Sequence, residues 1–152
     1  MTKVLVGILG ATGMIGQHYL RLLENHPWFK VVDLAASNNS EGKPYREAVK
    51  DRWLMDSAIP ENICKYRVRN VMDFNSIPED VKLFFSAMDL PEKEQTRNLE
   101  FKYAEMGYPL ISNSSANRQT NDVPMIIPEI NPGHLDIIPV QQKNRNLPES
   151  GF

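Results

Sequence analysis

Three glycines near the start of the chain, Gly10, Gly13 and Gly16, recur at intervals of three residues. They follow an apolar run rich in β-branched residues at 4–9 and precede apolar residues at helical spacing, so they mark a turn from a strand into a helix. At such a turn, glycines allow a phosphate to approach the backbone N–H groups and the helix N-terminus. The pattern indicates a dinucleotide pyrophosphate site, the alternative being a turn that only connects a strand to a helix.

The segment after the second apolar run indicates which dinucleotide would bind. Proteins that bind NAD usually place an acidic residue at the end of this strand, on the ribose 2′-hydroxyl. Here the hydroxyl groups of Ser37 and Ser40 and the ammonium group of Lys43 follow the strand, and they suit a 2′-phosphate. The nearest upstream acid, Asp33, falls within the strand. The sequence therefore favours NADP over NAD, the alternative being a turn-rich loop with one solvated lysine.

The hydrophobic pattern along the chain predicts alternating strands and helices. The predicted strands lie at 4–9, 29–36, 63–71, 81–87 and 110–112, and the predicted helices open near Gly13, lie near 45–50 and run from Pro91 to Met106. Successive strand-helix-strand units should have parallel strands joined by right-handed crossovers. The sequence predicts a doubly wound α/β sheet, whose ligands bind along the rim formed by the carboxyl ends of the strands.

The composition argues against several classes of partner. Seventeen Lys and Arg residues against nineteen Asp and Glu residues give a formal net charge of −2, without the basic excess typical of proteins that bind nucleic acids or anionic membranes. The apolar run before Gly10 is too short for a signal peptide or a membrane span, so we expect a cytoplasmic location. The three histidines have no spacing that would bring two onto one face, and no metal site is predicted.

The single cysteine, Cys64, has no partner for an internal disulfide. On the predicted strand at 63–71, Cys64 alternates with Lys65, Arg67 and Arg69, so these basic side chains should point away from its sulfur. We therefore expect Cys64 to be a small, partly buried hydrophobic residue rather than a nucleophile.

Two segments in the second half of the chain carry its most specific pattern, Asn-Ser-Ser-Ala-Asn-Arg at 113–118 and Asp-Val-Pro-Met-Ile-Ile-Pro-Glu-Ile-Asn-Pro at 122–132. Together with Gly-Ala-Thr-Gly at 10–13, Ala-Ser at 36–37 and Trp53, they resemble aspartate-semialdehyde dehydrogenases of the fungal and archaeal branch. The resemblance covers essentially the whole chain. It implies a Rossmann-like NADP-binding domain of an enzyme that reduces L-4-aspartyl phosphate with NADPH and releases phosphate, on the route to lysine, threonine, methionine and isoleucine.

The resemblance also implies a set of binding residues. Thr12, Gly13, Met14 and Ile15 match the pyrophosphate turn, Ser37 and Ser40 the adenosine-phosphate loop, Ser86 and Ala87 a strand end near the nicotinamide, and Asn117 and Arg118 the stretch that contacts the phosphate of the acyl substrate. A planar guanidinium offers paired donors that suit a phosphate, the alternative for Arg118 being a solvated structural arginine. With Gly10 and Lys43, these residues complete the predicted site, and no catalytic residue is assigned.

In the family, the nucleophilic cysteine lies in an Asn-Pro-Asn-Cys segment that would follow Phe152, and the acid/base histidine lies later, in a substrate domain that supplies most dimer contacts. We therefore expect residues 1–135 to form the NADP-binding domain, residues 136–152 to begin the connection to a missing substrate and dimerisation domain, and the chain alone to be inactive. The parent enzyme would be a homodimer or homotetramer. The alternatives are a related acyl reductase acting on malonyl-CoA or N-acetylglutamyl phosphate, and a non-catalytic NADP-binding module.

Overall fold

The computed structural model describes residues 2–152, which divide into two compact units, the first ending at Met88 and the second spanning Asp89–Phe152. The elements of the first unit are β1 (Val4–Leu9), α1 (Met14–Leu22), β2 (Phe29–Ala36), α2 (Tyr45–Ala48), β3 (Arg69–Asn70) and β4 (Leu83–Ser86). Its strands lie in the order β3-β2-β1-β4, and all three pairings are parallel. The predicted α/β architecture with a parallel sheet is confirmed.

The core of the first unit explains why β1 is an almost continuous apolar run. Val6, Ile8 and Leu9 are fully buried, because β1 lies between β2 and β4 and both of its faces are covered. One covered face includes an aromatic group in which the rings of Tyr19 and Phe29 pack against Phe85. The three rings join α1, β2 and β4 around the central strand β1.

The second unit consists of α3 (Lys93–Glu105), β5 (Leu110–Ser112), a short 3-10 helix (Pro132–Ile137) and α4 (Ile138–Arg145). The buried residues of α3 recur at helical spacing and are Thr96, Leu99, Glu100, Tyr103 and Ala104. The last residues of the chain pack on this unit, since the N–H of Leu110 donates to the carbonyl of Phe152 at 2.9 Å. Residues 136–152 thus contain α4 and a terminal segment that forms a hydrogen bond with β5.

The predicted strand at 63–71 is largely wrong. Only Arg69 and Asn70 pair with β2, and residues 63–66 form a turn closed by the N–H of Tyr66 on the carbonyl of Ile63 at 3.0 Å. The reason is that the backbone of this segment bonds to the α2 connection instead of a sheet partner, for example through the N–H of Tyr45 on the carbonyl of Tyr66. The other predicted strands and the helices after Gly13, near residue 45 and before Gly107 are confirmed.

Between Thr2 and Phe152, no helix combines the length and apolar character needed to cross a membrane.

Candidate cofactor site

The glycine turn joins β1 to α1 in a conformation that requires glycine at two of its positions. Gly10 has φ +79°, a left-handed conformation that favours glycine. A Cβ atom on Gly16 would lie 2.2 Å from the carbonyl oxygen of Gly10, so only glycine allows α1 to approach the turn this closely. The N–H groups of Gly10 and Ala11 both donate to the carbonyl of Ala35, at 2.8 and 3.0 Å, which ties the turn to β2.

Gly13, in contrast, has no internal reason to be glycine. Its backbone is extended, with φ −80° and ψ 166°, and an added Cβ would make only an ordinary contact, 3.5 Å from the oxygen of Gly10. Gly13 is exposed and forms the N-cap of α1, whose first-turn N–H groups have no acceptor within the helix. A glycine here leaves open the space in front of those N–H groups, which is what the approach of an anion requires.

The loop after β2 begins beside this turn, because Ala35 pairs with Leu9 at the ends of the two strands. Ser37 is exposed and precedes a 3-10 turn at Asn38–Ser40. The hydroxyl oxygen of Ser40 is buried and accepts from the Arg52 guanidinium at 3.3 Å, so it faces the protein. Sequence reasoning missed Arg52, since no motif marks this residue and folding of the α2 connection brings it to the loop.

Two further side chains of the loop form hydrogen bonds within the protein. The ammonium group of Lys43 donates to the carbonyl of Asn39 at 2.7 Å. Glu41, the only acid between Ser37 and Lys43, accepts from the amide of Asn70 at 2.9 Å. Of the predicted 2′-phosphate residues, Ser37 and Lys43 are thus exposed and Ser40 is buried, and Ser37 is the one directly after the strand.

The acidic side chain of β2 is buried in an ion pair. Asp33 accepts two hydrogen bonds from the Arg69 guanidinium, 3.2 Å from Nε and 2.6 Å from Nη2, and both side chains are about 5% exposed. The pair forms because β3 aligns Arg69 with Ala35 on the neighbouring strand β2, two residues from Asp33. Because its carboxylate accepts from Arg69, Asp33 is not placed to accept from a ribose hydroxyl.

The end of β4 completes the rim. The N–H of Ala87 donates to the carbonyl of Leu9 at 2.8 Å, and the backbone of Ala87 lies so close to Gly10 that a Cβ on this glycine would be 2.7 Å from its oxygen. Ser86 is fully buried. The structure thus brings Gly10, Ser37 and Ala87 to one edge of the sheet, as the sequence predicts for a doubly wound fold.

The second unit contains a cavity of about 300 Å³ that Asn117 and Arg118 line. The Asn117 amide donates to the buried carboxylate of Glu100 at 2.9 Å, and the Arg118 guanidinium donates to the carbonyl of Asn113 at 3.1 Å. Arg145 also lines the cavity and binds Asp122 through bonds of 3.0 and 2.5 Å, which lower the pKa of that carboxyl. With Arg97, which also lines it, the cavity has three arginines beside an apolar interior.

Cys64 is 7% exposed, which confirms the expectation of a buried thiol. Its sulfur lies 3.4 Å from the carbonyl oxygen of Pro60 and 3.3 Å from Nη2 of Arg46. The basic group that contacts the sulfur belongs to Arg46 on α2, a residue that the sequence analysis did not consider, and not to Lys65, Arg67 or Arg69. Among residues 2–152, the His, Cys, Asp and Glu side chains form no group of three or more suited to a metal ion.

Comparison with known proteins agrees with this geometry. Residues 5–138 match the family described as semialdehyde dehydrogenase, NAD binding domain. An aspartate-semialdehyde dehydrogenase of Archaeoglobus fulgidus is 43% identical over 92% of this chain and 38% of its own length. A malonyl CoA reductase (NADP) of Metallosphaera sedula is 39% identical over 91% of this chain and 37% of its own.

Among solved structures, the aspartate-semialdehyde dehydrogenase of Candida albicans with NADP superposes with a TM-score of 0.81 at 30% identity, covering 99% of this chain and 41% of that one. The chain thus spans about two fifths of the length of these relatives. The match to the family extends over most of the chain, from β1 to the start of α4. The chain belongs to the NAD-binding domain family of the semialdehyde dehydrogenases.

Proposed function

We propose that this chain is the NADP-binding part of an enzyme that reduces L-4-aspartyl phosphate to L-aspartate 4-semialdehyde and releases phosphate. The observation that carries the proposal is the open space at Gly13, a glycine that packing does not require, in front of the first N–H groups of α1. The relatives from Archaeoglobus fulgidus and Candida albicans support the substrate and the cofactor, respectively.

The residues of the first unit would hold the cofactor in three places. The backbone N–H groups of Thr12, Met14 and Ile15 would bind the pyrophosphate, while the N–H of Gly13 donates to the carbonyl of Gly10. Ser37 would donate to the 2′-phosphate. Ala87, beside Gly10 at the end of β4, would border the nicotinamide. When bound, NADPH supplies the hydride of the reduction.

The cavity of the second unit would hold the acyl phosphate. Arg118 carries a fixed positive charge with paired donors, and Asn117 lies beside it, oriented by Glu100. The side-chain oxygen of Gln141 is buried, lines this cavity and has no hydrogen-bond partner within residues 2–152, so a bound molecule with a donor group would satisfy it.

We further propose that residues 1–135 are the NADP-binding domain. The parent enzyme would be a cytoplasmic homodimer or homotetramer in lysine, threonine and methionine biosynthesis.

A second candidate is an acyl reductase that acts on a thioester such as malonyl-CoA. The Metallosphaera sedula relative favours it, because its identity to this chain, 39%, is close to that of the Archaeoglobus fulgidus dehydrogenase, 43%. The two functions share the cofactor turn, so they differ only in what the substrate cavity accepts.

NADPH is expected to bind at least about tenfold more tightly than NADH, because the 2′-phosphate gains charge-assisted hydrogen bonds and Asp33 is already paired with Arg69. Calorimetric titration of the chain with each cofactor measures the difference. Ser37→Asp places an acid at the strand end, and it should weaken NADPH binding while leaving NADH binding unchanged or stronger. Equal affinities of the wild-type chain for NADPH and NADH would refute the assignment of this loop.

The chain alone is expected to show no NADPH oxidation with L-4-aspartyl phosphate. Its only thiol, Cys64, is buried and bonded to the carbonyl of Pro60, so it is not placed to attack an acyl phosphate. The decrease of NADPH absorbance measures turnover, and Cys64→Ser serves as the matched control. Turnover that survives repurification and disappears in Cys64→Ser would show that the nucleophile lies within this chain.

A further inference from the structure

Two buried side chains donate hydrogen bonds to successive carbonyl groups of the glycine turn. The hydroxyl of Tyr45, on α2, donates to the carbonyl of Ala11 at 2.8 Å. The side-chain amide of Gln17, on α1, donates to the carbonyl of Thr12 at 3.1 Å. Tyr45 is 0% exposed and Gln17 is 1% exposed, so both bonds form away from solvent.

These bonds determine which way the turn presents its N–H groups. In a planar trans peptide, the carbonyl and the N–H of the same unit point in opposite directions. Because Tyr45 holds the carbonyl of Ala11 on the buried side, the N–H of Thr12 points away from that side. A rotation of this peptide would bring the Ala11 oxygen, a negative dipole end, to the face where an anion would bind.

Gln17 is itself fixed by the segment that follows α2. Its amide nitrogen also donates to the carbonyl of Arg52 at 2.7 Å, and its side-chain oxygen accepts from the N–H of Leu54 at 2.8 Å. A buried amide with these three partners has a defined orientation, because any other would leave buried polar groups unpaired. Gln17 therefore connects the turn to a segment more than thirty residues away.

Tyr45 is fixed as a donor by its surroundings. Its ring packs edge to face on Trp53, with the ring centroids 6.5 Å apart. Burial raises the pKa of its hydroxyl above the ordinary value, against an opposing effect of the Arg52 guanidinium. The hydroxyl thus keeps its proton throughout the neutral range and continues to donate to Ala11.

We propose that Gln17 and Tyr45 are positioning residues for the cofactor pyrophosphate. Tyr45 holds the Ala11 carbonyl on the buried side so that the N–H of Thr12 faces the bound phosphate. Gln17 holds the next peptide group, whose N–H belongs to Gly13 and donates to the carbonyl of Gly10 at 3.1 Å, and so fixes the turn on the other side of Thr12. The proposal rests on the proposed function, since it requires that this turn bind a dinucleotide. Neither side chain touches the ligand, and both act through the backbone of the turn. Their contribution is to fix the donor before the ligand arrives.

Tyr45→Phe tests the proposal, because it removes the hydroxyl and keeps the ring that packs on Trp53. The variant should bind NADPH about tenfold more weakly and bind adenosine 2′-monophosphate, which lacks a pyrophosphate, as tightly as the wild type. Gln17→Met should show the same selective loss. Tyr103→Phe, the matched substitution at a fully buried tyrosine of the second unit, should leave both affinities unchanged.

An NMR titration of the wild-type chain gives a second measurement that does not depend on the folding of a variant. The amide resonance of Thr12 should shift on addition of NADPH and should stay in place on addition of adenosine 2′-monophosphate. Unchanged NADPH affinity in Tyr45→Phe, an equal loss for both ligands, or a Thr12 resonance that does not move would overturn the positioning role alone. A wild-type chain that binds neither ligand would overturn the proposed function, and the positioning role with it.

Discussion

Replacement of Arg69 by methionine is expected to lower the free energy of unfolding by about 3–5 kcal/mol. The substitution leaves the Asp33 carboxylate on β2, about 5% exposed, without the guanidinium that approaches it to 2.6 Å. Arg69 also donates to the carbonyls of Asn70 and Asp73, at 3.0 and 2.8 Å, and these acceptors lose their donor as well. Urea denaturation followed by circular dichroism measures the change.

Two controls separate the loss of a buried ion pair from a general effect of the substitution. Lys102→Met removes an exposed partner of Glu105, with side chains 55% and 41% exposed, and should change stability by less than about 0.5 kcal/mol. The double variant Asp33→Leu, Arg69→Met removes both buried charges and should recover much of the loss. If Arg69→Met costs no more than Lys102→Met, the buried ion pair does not stabilise the fold as described.

Substitution of alanine at Gly16 and at Gly13 is expected to separate folding from cofactor binding. Gly16→Ala should destabilise the chain by about 3 kcal/mol or more, because the new Cβ would lie 2.2 Å from the Gly10 oxygen and 2.8 Å from the Cα of Ala11. Gly13→Ala should cost no more than about 1 kcal/mol, the penalty of alanine at a helix N-cap, since its Cβ meets only an ordinary contact of 3.5 Å. The alanine methyl group would instead occupy the space that an approaching pyrophosphate needs.

Thermal denaturation and calorimetric titration with NADPH on both variants measure these effects. Gly13→Ala should lose NADPH affinity by at least about tenfold while its unfolding temperature falls by only a few degrees. A Gly13→Ala variant that binds NADPH as tightly as the wild type would show that the pyrophosphate does not approach the turn at this position. A stable Gly16→Ala variant would show that α1 can move away from the turn without cost.

The first strand, first helix and second strand were predictable because their signal is local. A continuous apolar run indicates a strand covered on both faces, and glycines at regular spacing indicate the turn that follows it. The segment at 63–71 was not predictable in this way. Its alternation of apolar and polar residues resembles that of a strand, but its backbone bonds to residues 42–46, and no local pattern reveals a partner so distant in sequence.

The same limit applies to the charged residues of the site. Asp33 and Arg69 are thirty-six residues apart and meet only because β2 and β3 are neighbours, so their pairing depends on the strand order. The polar neighbours of Ser40 in the sequence predict a free hydroxyl donor, whereas the structure buries this residue against Arg52. Sequence reasoning identified the part of the chain that forms the rim but could not decide which of its polar groups are already occupied.

The carbonyl of Ala35 accepts from both Gly10 and Ala11, so one peptide group of β2 anchors the turn that follows β1. The separation between the turn and the beginning of the Ser37 loop is thereby set by the sheet and does not depend on loop motion. A dinucleotide that contacts both would meet two recognition points with a fixed spacing, and most of the conformational entropy needed to align them is lost during folding rather than during binding. Recognition at this edge should therefore involve little movement of the backbone and should resemble the fit of a rigid template.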